Sequence, residues 1–318
     1  MSGKRMAKLS PKKRLYLILL VAVAVFSLVI EVGSRIPGSG IPDWDTLFAG
    51  SGFQGASATP GGQLEAHCID VGNADCILVR QGTAAMLIDA GEKGDADTII
   101  EYLRQQGVER LDVVVATHPH ADHIGSMARV IREFPIDTFL LAYMPSSATP
   151  TSAVYLAMLQ ALDEKQVSVR QAQPGDVLPL GEAQVQILAP LEQTSDANNM
   201  SVVTRVVFGQ RRFLFMGDAE TPVEQQLLER GTELSADVLK AGHHGSRTAT
   251  SAAFLRRVEP TYAVLTCGEG NSYGHPHKET LQVLGQSKVQ VYRSDIHGHI
   301  VFTTDGKELT VKTQKEVA

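Results

Sequence analysis

Short apolar runs alternate with polar stretches from residue 64 onward, and their spacing separates strands from helices. Three apolar runs at the start of this region predict adjacent strands: 64–70, 76–80 and 85–89. A helix follows, because Asp95 suits an N-cap, apolar residues recur on one face after it, and Gly107 follows its end. The next run, 111–116, is continuous in valine and alanine, as buried strands are.

Strands and helices keep alternating after this point. The first half continues with a helix, a strand and another helix at 127–134, 138–143 and 154–165. The second half opens with strands again, at 185–188, 202–208 and 213–216, the last two joined by a hairpin at Gly209-Gln210, and a helix follows Pro222. Closing strands are predicted at 290–293, 300–303 and 309–312. This order predicts an α/β sandwich of two mixed sheets with helices outside.

The N-terminal segment has a different pattern. Residues 15–30 form an uncharged, mostly apolar run directly after Lys12-Lys13-Arg14, which predicts one transmembrane helix. A cleaved signal peptide and a buried core helix are the alternatives, but no Ala-x-Ala site follows, which favours an uncleaved anchor. Residues 1–14 would then stay in the cytoplasm and 31–63 would form a Gly/Ser/Pro-rich linker. The folded domain, 64–318, would lie outside a bacterial cell membrane.

Composition and charge narrow the class of protein. The chain has 318 residues, 43% hydrophobic and 20% charged, which excludes a disordered or collagen-like protein. Its net charge of −6 is unevenly placed, since six lysines and arginines precede the first acidic residue, Glu31. Without these six, 23 basic residues face 35 acidic ones, which leaves −12 on the rest. This acidic body argues against broad, sequence-independent DNA binding, although a small basic groove is compatible with it.

The cysteines are three in number, and two of them flank a predicted tight turn between strands. A bridge between Cys68 and Cys76 is therefore one interpretation. We favour buried free thiols, because Cys68, Cys76 and Cys267 all lie in apolar strands or at strand ends.

The strongest chemical signal is the string His-Pro-His-Ala-Asp-His at 118–123, directly after the predicted buried strand. Three imidazoles and a carboxylate are costly to bury in an apolar setting unless something coordinates them. His118 and His120 stand two apart in an extended stretch and can point the same way, while Asp122 and His123 turn into the next helix. This spacing lets each pair hold one metal ion.

Polar residues also follow later strands. Asp218 comes after the strand at 213–216, His243 and His244 after a strand at 236–240, and His275 at a further strand-to-helix turn. Alone, each is compatible with an ordinary turn or a solvated loop. A dinuclear site gives them a role, because it needs a bridging carboxylate and further histidine ligands. His275 would then be a hydrogen-bond donor on the substrate side.

Seven strings, in order between residues 64 and 303, resemble the extracytoplasmic hydrolase domain of ComEC-type competence proteins, which has the metallo-β-lactamase fold. They are CIDVGNAD (68–75), LIDAG (87–91), ATHPHADHIG (116–125), NNMSVV (198–203), FLFMGDAE (213–220), ADVLKAGHHGS (236–246) and NSYGHPH (271–277). The resemblance implies an αββα sandwich with a dinuclear metal centre at the sheet edges. ComEC proteins also carry a large multi-helix membrane channel, whereas this chain has one hydrophobic segment.

The resemblance implies a ligand set for two divalent ions, with Zn²⁺, Mn²⁺ and Fe²⁺ as candidates. The ligands are His118 and His120 for the first ion, Asp122, His123 and His243 for the second, and Asp218 as the bridge. His244 is the alternative to His243 as the histidine ligand of the second ion. The family's usual Gly-Gln-Gly-Asp turn is changed here to Gly-Asn-Ala-Asp at 72–75, a departure that keeps the aspartate, and Asp75 is expected behind the ligands, where it would orient them.

A second departure concerns the first ion. Many members of the fold supply another histidine to it from a mid-chain strand end, but 198–201 contains none. The first site is therefore expected to be weak, or completed by water or Asn199, and one ion instead of two is an alternative. Asn199, Ser246 and His275 are the expected substrate-binding residues.

The resulting hypothesis is a membrane-anchored phosphodiesterase or nuclease in which a metal-bound hydroxide attacks phosphorus. Asp122, His244 and His275 would be its catalytic residues, and DNA is one candidate substrate. The alternatives are hydrolysis of a surface-polymer phosphoester, such as a phosphorylcholine or teichoic-acid ester, and a non-catalytic binding module that keeps the fold. β-Lactam hydrolysis fits the strings less well. The sequence indicates no oligomeric state.

Overall fold

The computed structural model describes residues 62–142, 144 and 149–316. The strands of this part are β1 (Leu64–Cys68), β2 (Ile77–Gln81), β3 (Ala84–Ile88), β4 (Leu111–Ala116), β5 (Ile136–Leu141), β6 (Val169–Gln171), β7 (Val177–Leu180), β8 (Ala183–Ala189), β9 (Val203–Phe208), β10 (Arg211–Phe215), β11 (Val238–Lys240), β12 (Tyr262–Leu265), β13 (Gln290–Arg293), β14 (Ile300–Thr304) and β15 (Leu309–Thr313). The helices are α1 (Ala96–Gln105), α2 (Ala121–Ile124), α3 (Met127–Glu133), α4 (Ala153–Glu164), α5 (Thr221–Glu229), α6 (Ala252–Val258), α7 (Lys278–Gln286) and α8 (Ser294–His297). A short 3₁₀ segment covers Asn198–Met200, and a tight turn covers Gly242–Gly245.

The first sheet has the strand order β15-β14-β1-β2-β3-β4-β5-β6. The pairs from β15 to β3 are antiparallel, and a two-residue turn at Gly82-Thr83 joins β2 to β3. From β3 onward β4, β5 and β6 are parallel, since helices return the chain to the same edge between strands. The parallel strands therefore end at one common edge.

The second sheet repeats this plan in the order β13-β12-β11-β10-β9-β8-β7. The pairs from β7 to β10 are antiparallel, and β10, β11, β12 and β13 are parallel. The two last strands, β14 and β15, return to the first sheet and pair beside β1. Each sheet is thus mixed, as predicted.

The core divides into three apolar layers. Val79 and Val115 from the first sheet share the central layer with Phe213 and Phe215 from the second. Side chains on the opposite faces pack under the helices, such as Leu78 against α1 and α3 and Leu214 against α5 and α6. Since successive strand residues point to opposite faces, this alternation produces the helix–sheet–sheet–helix order.

Most predicted elements are confirmed within one or two residues. Asp95 does occupy the N-cap of α1, but its carboxylate accepts from the Glu92 backbone N–H at 2.7 Å and not from the helix. Gly107 follows the helix with a φ of 70°. The sequence pattern missed β6, whose residues are all exposed, and β7, which is four residues long. Such short strands lack a long enough apolar alternation to be recognised.

The cysteine prediction is confirmed, because Cys68, Cys76 and Cys267 are free and buried. The predicted anchor at 15–30 and most of the predicted linker lie outside the described residues. Among the residues that are described, no helix is long and apolar enough to cross a membrane.

Candidate metal centre

The candidate residues converge because the parallel strands of both sheets end at neighbouring edges. β4 delivers the chain to Thr117 and His118, and the short helix α2 carries Asp122 and His123. In the second sheet β10 leads through Gly217 to Asp218, and β11 leads to the histidine pair 243–244. The strand-end positions predicted from the sequence therefore meet at one place.

The histidine pair lies in a tight left-handed turn. His243 has φ 49° and ψ 51°, and His244 has φ 53° and ψ 22°. This region is uncommon for residues other than glycine, asparagine and aspartate, so the surrounding loop must hold it. The turn directs the two imidazoles to different sides of Asp218.

A compact group of four ligand atoms forms one candidate metal site. Atoms of Asp122, His123, Asp218 and His244 all lie within 4.8 Å of one another. His244 Nε2 lies 3.3 Å from Asp122 Oδ2 and 3.5 Å from Asp218 Oδ1, and His123 Nε2 lies 3.3 Å from that same Oδ1. The structure thus brings together Asp122 and His123, two ligands expected for the second ion, and Asp218, the expected bridge, with His244 where His243 was expected.

The polar atoms of this group fit a bound cation. His123 Nε2, His244 Nε2 and Asp218 Oδ1 are buried and have no hydrogen-bond partner. Leaving buried polar atoms unpaired costs free energy, and three converging ones are explained by a shared ligand. Imidazole and carboxylate donors together suit Zn²⁺, Mn²⁺ or Fe²⁺.

His123 is held from behind by a carboxylate. Its Nδ1 lies 2.7 Å from Asp89 Oδ2, and Asp89 also accepts from the Thr117 backbone N–H and hydroxyl. Burial opposes a charge on His123, but Asp218 and Asp89 raise its pKa well above the ordinary value. A carboxylate behind a histidine ligand fixes the ring and makes it a better donor to a metal.

His244 is held in a similar way. Its Nδ1 lies 2.8 Å from the Thr266 carbonyl oxygen and 3.4 Å from Asp75 Oδ1. Burial opposes a charge on this ring, but Asp218, Asp122 and Asp75 raise its pKa to about 9. Burial also opposes the charge on Asp122, while the contact with His244 lowers its pKa to about 2. Asp75 therefore lies on the Nδ1 side of His244, away from the Nε2 atom that faces Asp218.

The other side of Asp218 collects the remaining histidines. Asp218 Oδ2 lies 3.8 Å from His118 Nε2 and 3.8 Å from His243 Nε2. His118 Nε2 is 3.0 Å from His120 Nδ1, and the two rings meet edge to face with an angle of 77° between their planes. His243 Nδ1 lies 2.8 Å from Glu220 Oε1. Asp218 consequently stands between the two sides, where a bridging ligand would be.

The expected substrate-binding residues differ in their surroundings. His275 lies close, with its ring centroid 5.4 Å from that of His243, and its buried Nδ1 has no partner. Asn199 is engaged by its own loop, donating to Asp196 at 3.0 Å and accepting from the Glu220 backbone at 3.2 Å. Ser246 is buried, with its hydroxyl 2.8 Å from that of Thr248. Of these three, His275 alone offers an unpaired polar atom.

Sequence reasoning missed several residues that support the centre. Asp89 and Lys240 each sit at the end of an apolar strand, where a polar residue signals no particular role. Glu220 follows the candidate ligand Asp218 by two positions and contacts His243. The strings LIDAG and FLFMGDAE contain Asp89 and Glu220, which is the signal that could have singled them out.

The sequence is similar to parts of several longer bacterial proteins. ComE operon protein 3 of Bacillus subtilis (strain 168) is 31% identical over 213 residues, covering 67% of this chain and 26% of that protein. Competence protein ComA of Neisseria gonorrhoeae is 29% identical over 287 residues, covering 89% of this chain and 38% of that protein. The chain thus spans well under half the length of these curated relatives.

Among solved structures, the metallo-beta-lactamase fold protein YhfI from Bacillus subtilis aligns with 13% identity and a TM-score of 0.49, covering 76% of this chain and 100% of that protein. Residues 69–269 match the family described as the metallo-beta-lactamase superfamily. That match includes β2 to β12 and all four members of the compact ligand group. The chain therefore belongs to the metallo-beta-lactamase superfamily and is similar, within it, to the ComEC-type competence proteins.

Proposed function

We propose that this protein is a membrane-anchored, extracytoplasmic, metal-dependent phosphodiesterase, with nuclease activity as its leading form. The observation that carries the proposal is the group of buried, unpartnered ligand atoms on His123, Asp218 and His244, with Asp122 beside them. The similarity to competence proteins supports a nucleic-acid substrate, and the apolar run at 15–30 supports the anchor.

The residues of the centre would have different roles in hydrolysis. When bound, a divalent ion supplies Lewis acidity toward a phosphoryl oxygen and lowers the pKa of water. Asp122, His123, Asp218 and His244 would hold it, and Asp89 and Thr266 keep the two rings oriented. No serine or cysteine nucleophile is required.

His275 is placed to contact the substrate. The side-chain amide of Asn271 donates to the His275 carbonyl at 2.6 Å, and the Asn271 amide oxygen accepts from the His275 N–H at 2.9 Å, which fixes the loop. Burial and the neighbouring His244 and His243 lower the pKa of His275 to about 4. The ring is therefore neutral at pH 7 and donates one N–H, which suits a hydrogen bond to a phosphoryl or leaving-group oxygen.

A surface-polymer phosphoester is the second candidate substrate. The net charge of −12 outside the first 30 residues repels a long polyanion, and a small zwitterionic headgroup such as phosphorylcholine would not meet that repulsion. Both candidates use the same chemistry at phosphorus, so only substrate comparison separates them.

The test is hydrolysis by the purified full chain after removal and return of metal. We expect bis(p-nitrophenyl) phosphate and linear DNA to be cleaved with added Mn²⁺ or Zn²⁺, and the activity to fall at least ~100-fold in Asp122→Ala and Asp218→Ala, since each removes a ligand. Asp112→Asn, which lies away from the centre, is the matched control and should keep its activity.

Three outcomes of this experiment distinguish the candidate functions. Cleavage of the small diester but not of DNA favours the surface-polymer substrate, to be followed with p-nitrophenyl phosphorylcholine. Stoichiometric metal without turnover on any diester favours the binding module. Absence of bound metal in the intact chain contradicts the proposal.

A further inference from the structure

A fully buried lysine lies directly behind the metal centre. Lys240 is the last residue of β11, and its side chain is inaccessible to solvent. Its ammonium donates to the carboxylate of Asp75 and, at 2.8 Å, to the carbonyl oxygen of Gly217. The same nitrogen lies 4.0 Å from Asp218 Oδ1, the atom that faces the unpartnered histidine nitrogens.

Asp75 connects this lysine to both histidine ligands. Its Oδ1 accepts from the Thr266 hydroxyl at 2.5 Å and lies 3.4 Å from His244 Nδ1. Its Oδ2 lies 3.9 Å from His123 Nδ1. The Asp75 N–H donates to the Asp122 carbonyl oxygen at 3.1 Å, so the loop that carries Asp75 is tied to the ligand helix as well.

The charges around the centre explain why a cation is needed there. Four carboxylates, those of Asp75, Asp89, Asp122 and Asp218, surround the histidines, and only Asp122 reaches solvent. Buried charges of one sign are costly to hold together without a counter-charge. Among the described residues, Lys240 is the only lysine or arginine that pairs with any of them.

We propose that Lys240 is a resident cation that assembles the carboxylate and imidazole ligands before metal arrives, a role that rests on the metal centre proposed above. It stabilises the metal-free centre by compensating Asp75 and Asp218. The same positive charge opposes the incoming ion, so Lys240 makes metal binding weaker than the ligands alone would allow. Lys240 is thus a positioning residue, since it acts through its ion pairs with Asp75 and Asp218 and not on the substrate.

The test measures stability and Mn²⁺ binding, not activity. The full chain, freed of metal with a chelator, is compared as wild type, Lys240→Met and Asp75→Asn/Lys240→Met, with thermal unfolding and Mn²⁺ titration for each. Arg205→Met is the matched control, because Arg205 is also buried but pairs with Gln186 and Ser235 away from the centre.

Lys240→Met should lower the melting temperature of the metal-free chain, as Arg205→Met also should. Only Lys240→Met should bind Mn²⁺ more tightly, on the order of tenfold, because the repulsion is gone and Asp75 is left uncompensated. Saturating MnCl₂ should therefore raise its melting temperature more than that of the wild type. In the double variant, which loses both charges, the melting temperature and the Mn²⁺ affinity should both return toward the wild-type values.

Some results would overturn this role. One such result is that Lys240→Met binds Mn²⁺ no more tightly than the wild type and changes in the same way as Arg205→Met. The lysine would then only stabilise the fold. A Lys240→Met chain that stays insoluble even when expressed with Mn²⁺ would also overturn it, since the ion should replace the missing charge. Mn²⁺ binding as expected without any phosphodiester cleavage would contradict the proposed function alone, and a wild-type chain that binds no Mn²⁺ would contradict both.

Discussion

Three histidines of the centre share one way of being held. His123, His244 and His243 each use Nδ1 to contact a fixed oxygen, from Asp89, Thr266 and Glu220 respectively, at 2.7 to 2.8 Å. With Nδ1 occupied, the Nε2 atom of each ring is left for the centre. The tautomer and the direction of each donor are therefore set by residues outside the ligand group.

Replacing the carboxylate behind His123 tests this arrangement. In Asp89→Asn the side chain keeps its size, and asparagine tolerates the left-handed backbone at this position (φ 60°). The amide is a weaker partner for the His123 ring, so metal affinity should fall about 10–100-fold. The metal affinity is measured by competition with a metallochromic chelator. Asp112→Asn, at the opposite end of β4, should keep its affinity, and an equal loss in both variants would contradict a specific role for Asp89.

The three thiols should be unreactive in the folded chain. Burial raises the pKa of Cys68 and of Cys267 to about 12, and it raises that of Cys76 as well. Because the thiolate is the reactive form, Ellman's reagent at pH 8 should label the native chain very slowly. Unfolding in guanidinium without reductant should release all three thiols of the sequence at once. Only one reactive thiol after unfolding would instead indicate a disulfide.

At the scale of elements, the sequence predicted where the strands end but not which side chains come into contact there. An apolar run followed by His118 or Asp218 marks a strand end through local pattern alone. Which of His243 and His244 turns toward Asp122 depends instead on two consecutive left-handed residues, which no periodicity reveals. The pairing of Lys240 with Asp75 joins positions 165 residues apart, and only the packing of the two sheets brings them together.

The turn after β11 depends on a close approach of two backbones. Gly242 lies against the chain just after Asp218, and a Cβ atom there would overlap the Ala219 carbonyl oxygen. Gly242→Ala should therefore push the His244 turn away from Asp218, lowering stability by about 1–3 kcal/mol and weakening metal binding. Gly285→Ala, in α7 with open space around it, is the control and should be neutral or slightly stabilising in thermal unfolding. Normal Mn²⁺ affinity in Gly242→Ala would show that the turn adapts.

At the scale of the whole molecule, the centre lies where the two halves of the described chain meet. His118, Asp122 and His123 come from the first sheet, and Asp218, His243 and His244 from the second. Neither half alone contains the compact ligand group. A bound ion would therefore link strand ends of the two sheets, and its removal should lower the stability of both together.

The last prediction concerns how the chain meets the membrane. If residues 15–30 form an uncleaved anchor, the full chain expressed in a bacterium should stay at full length in a carbonate-washed membrane fraction, with protease reaching the body from outside the membrane. Two charges within the run, Leu20→Arg and Val23→Arg, should release it, because each arginine costs about 2.5–3.5 kcal/mol at the centre of a helix in the bilayer. As a control, Leu156→Arg and Leu159→Arg, two substitutions at exposed positions of α4, should leave membrane association unchanged. A soluble product shortened by roughly the first 30 residues would show that the segment is a cleaved signal peptide.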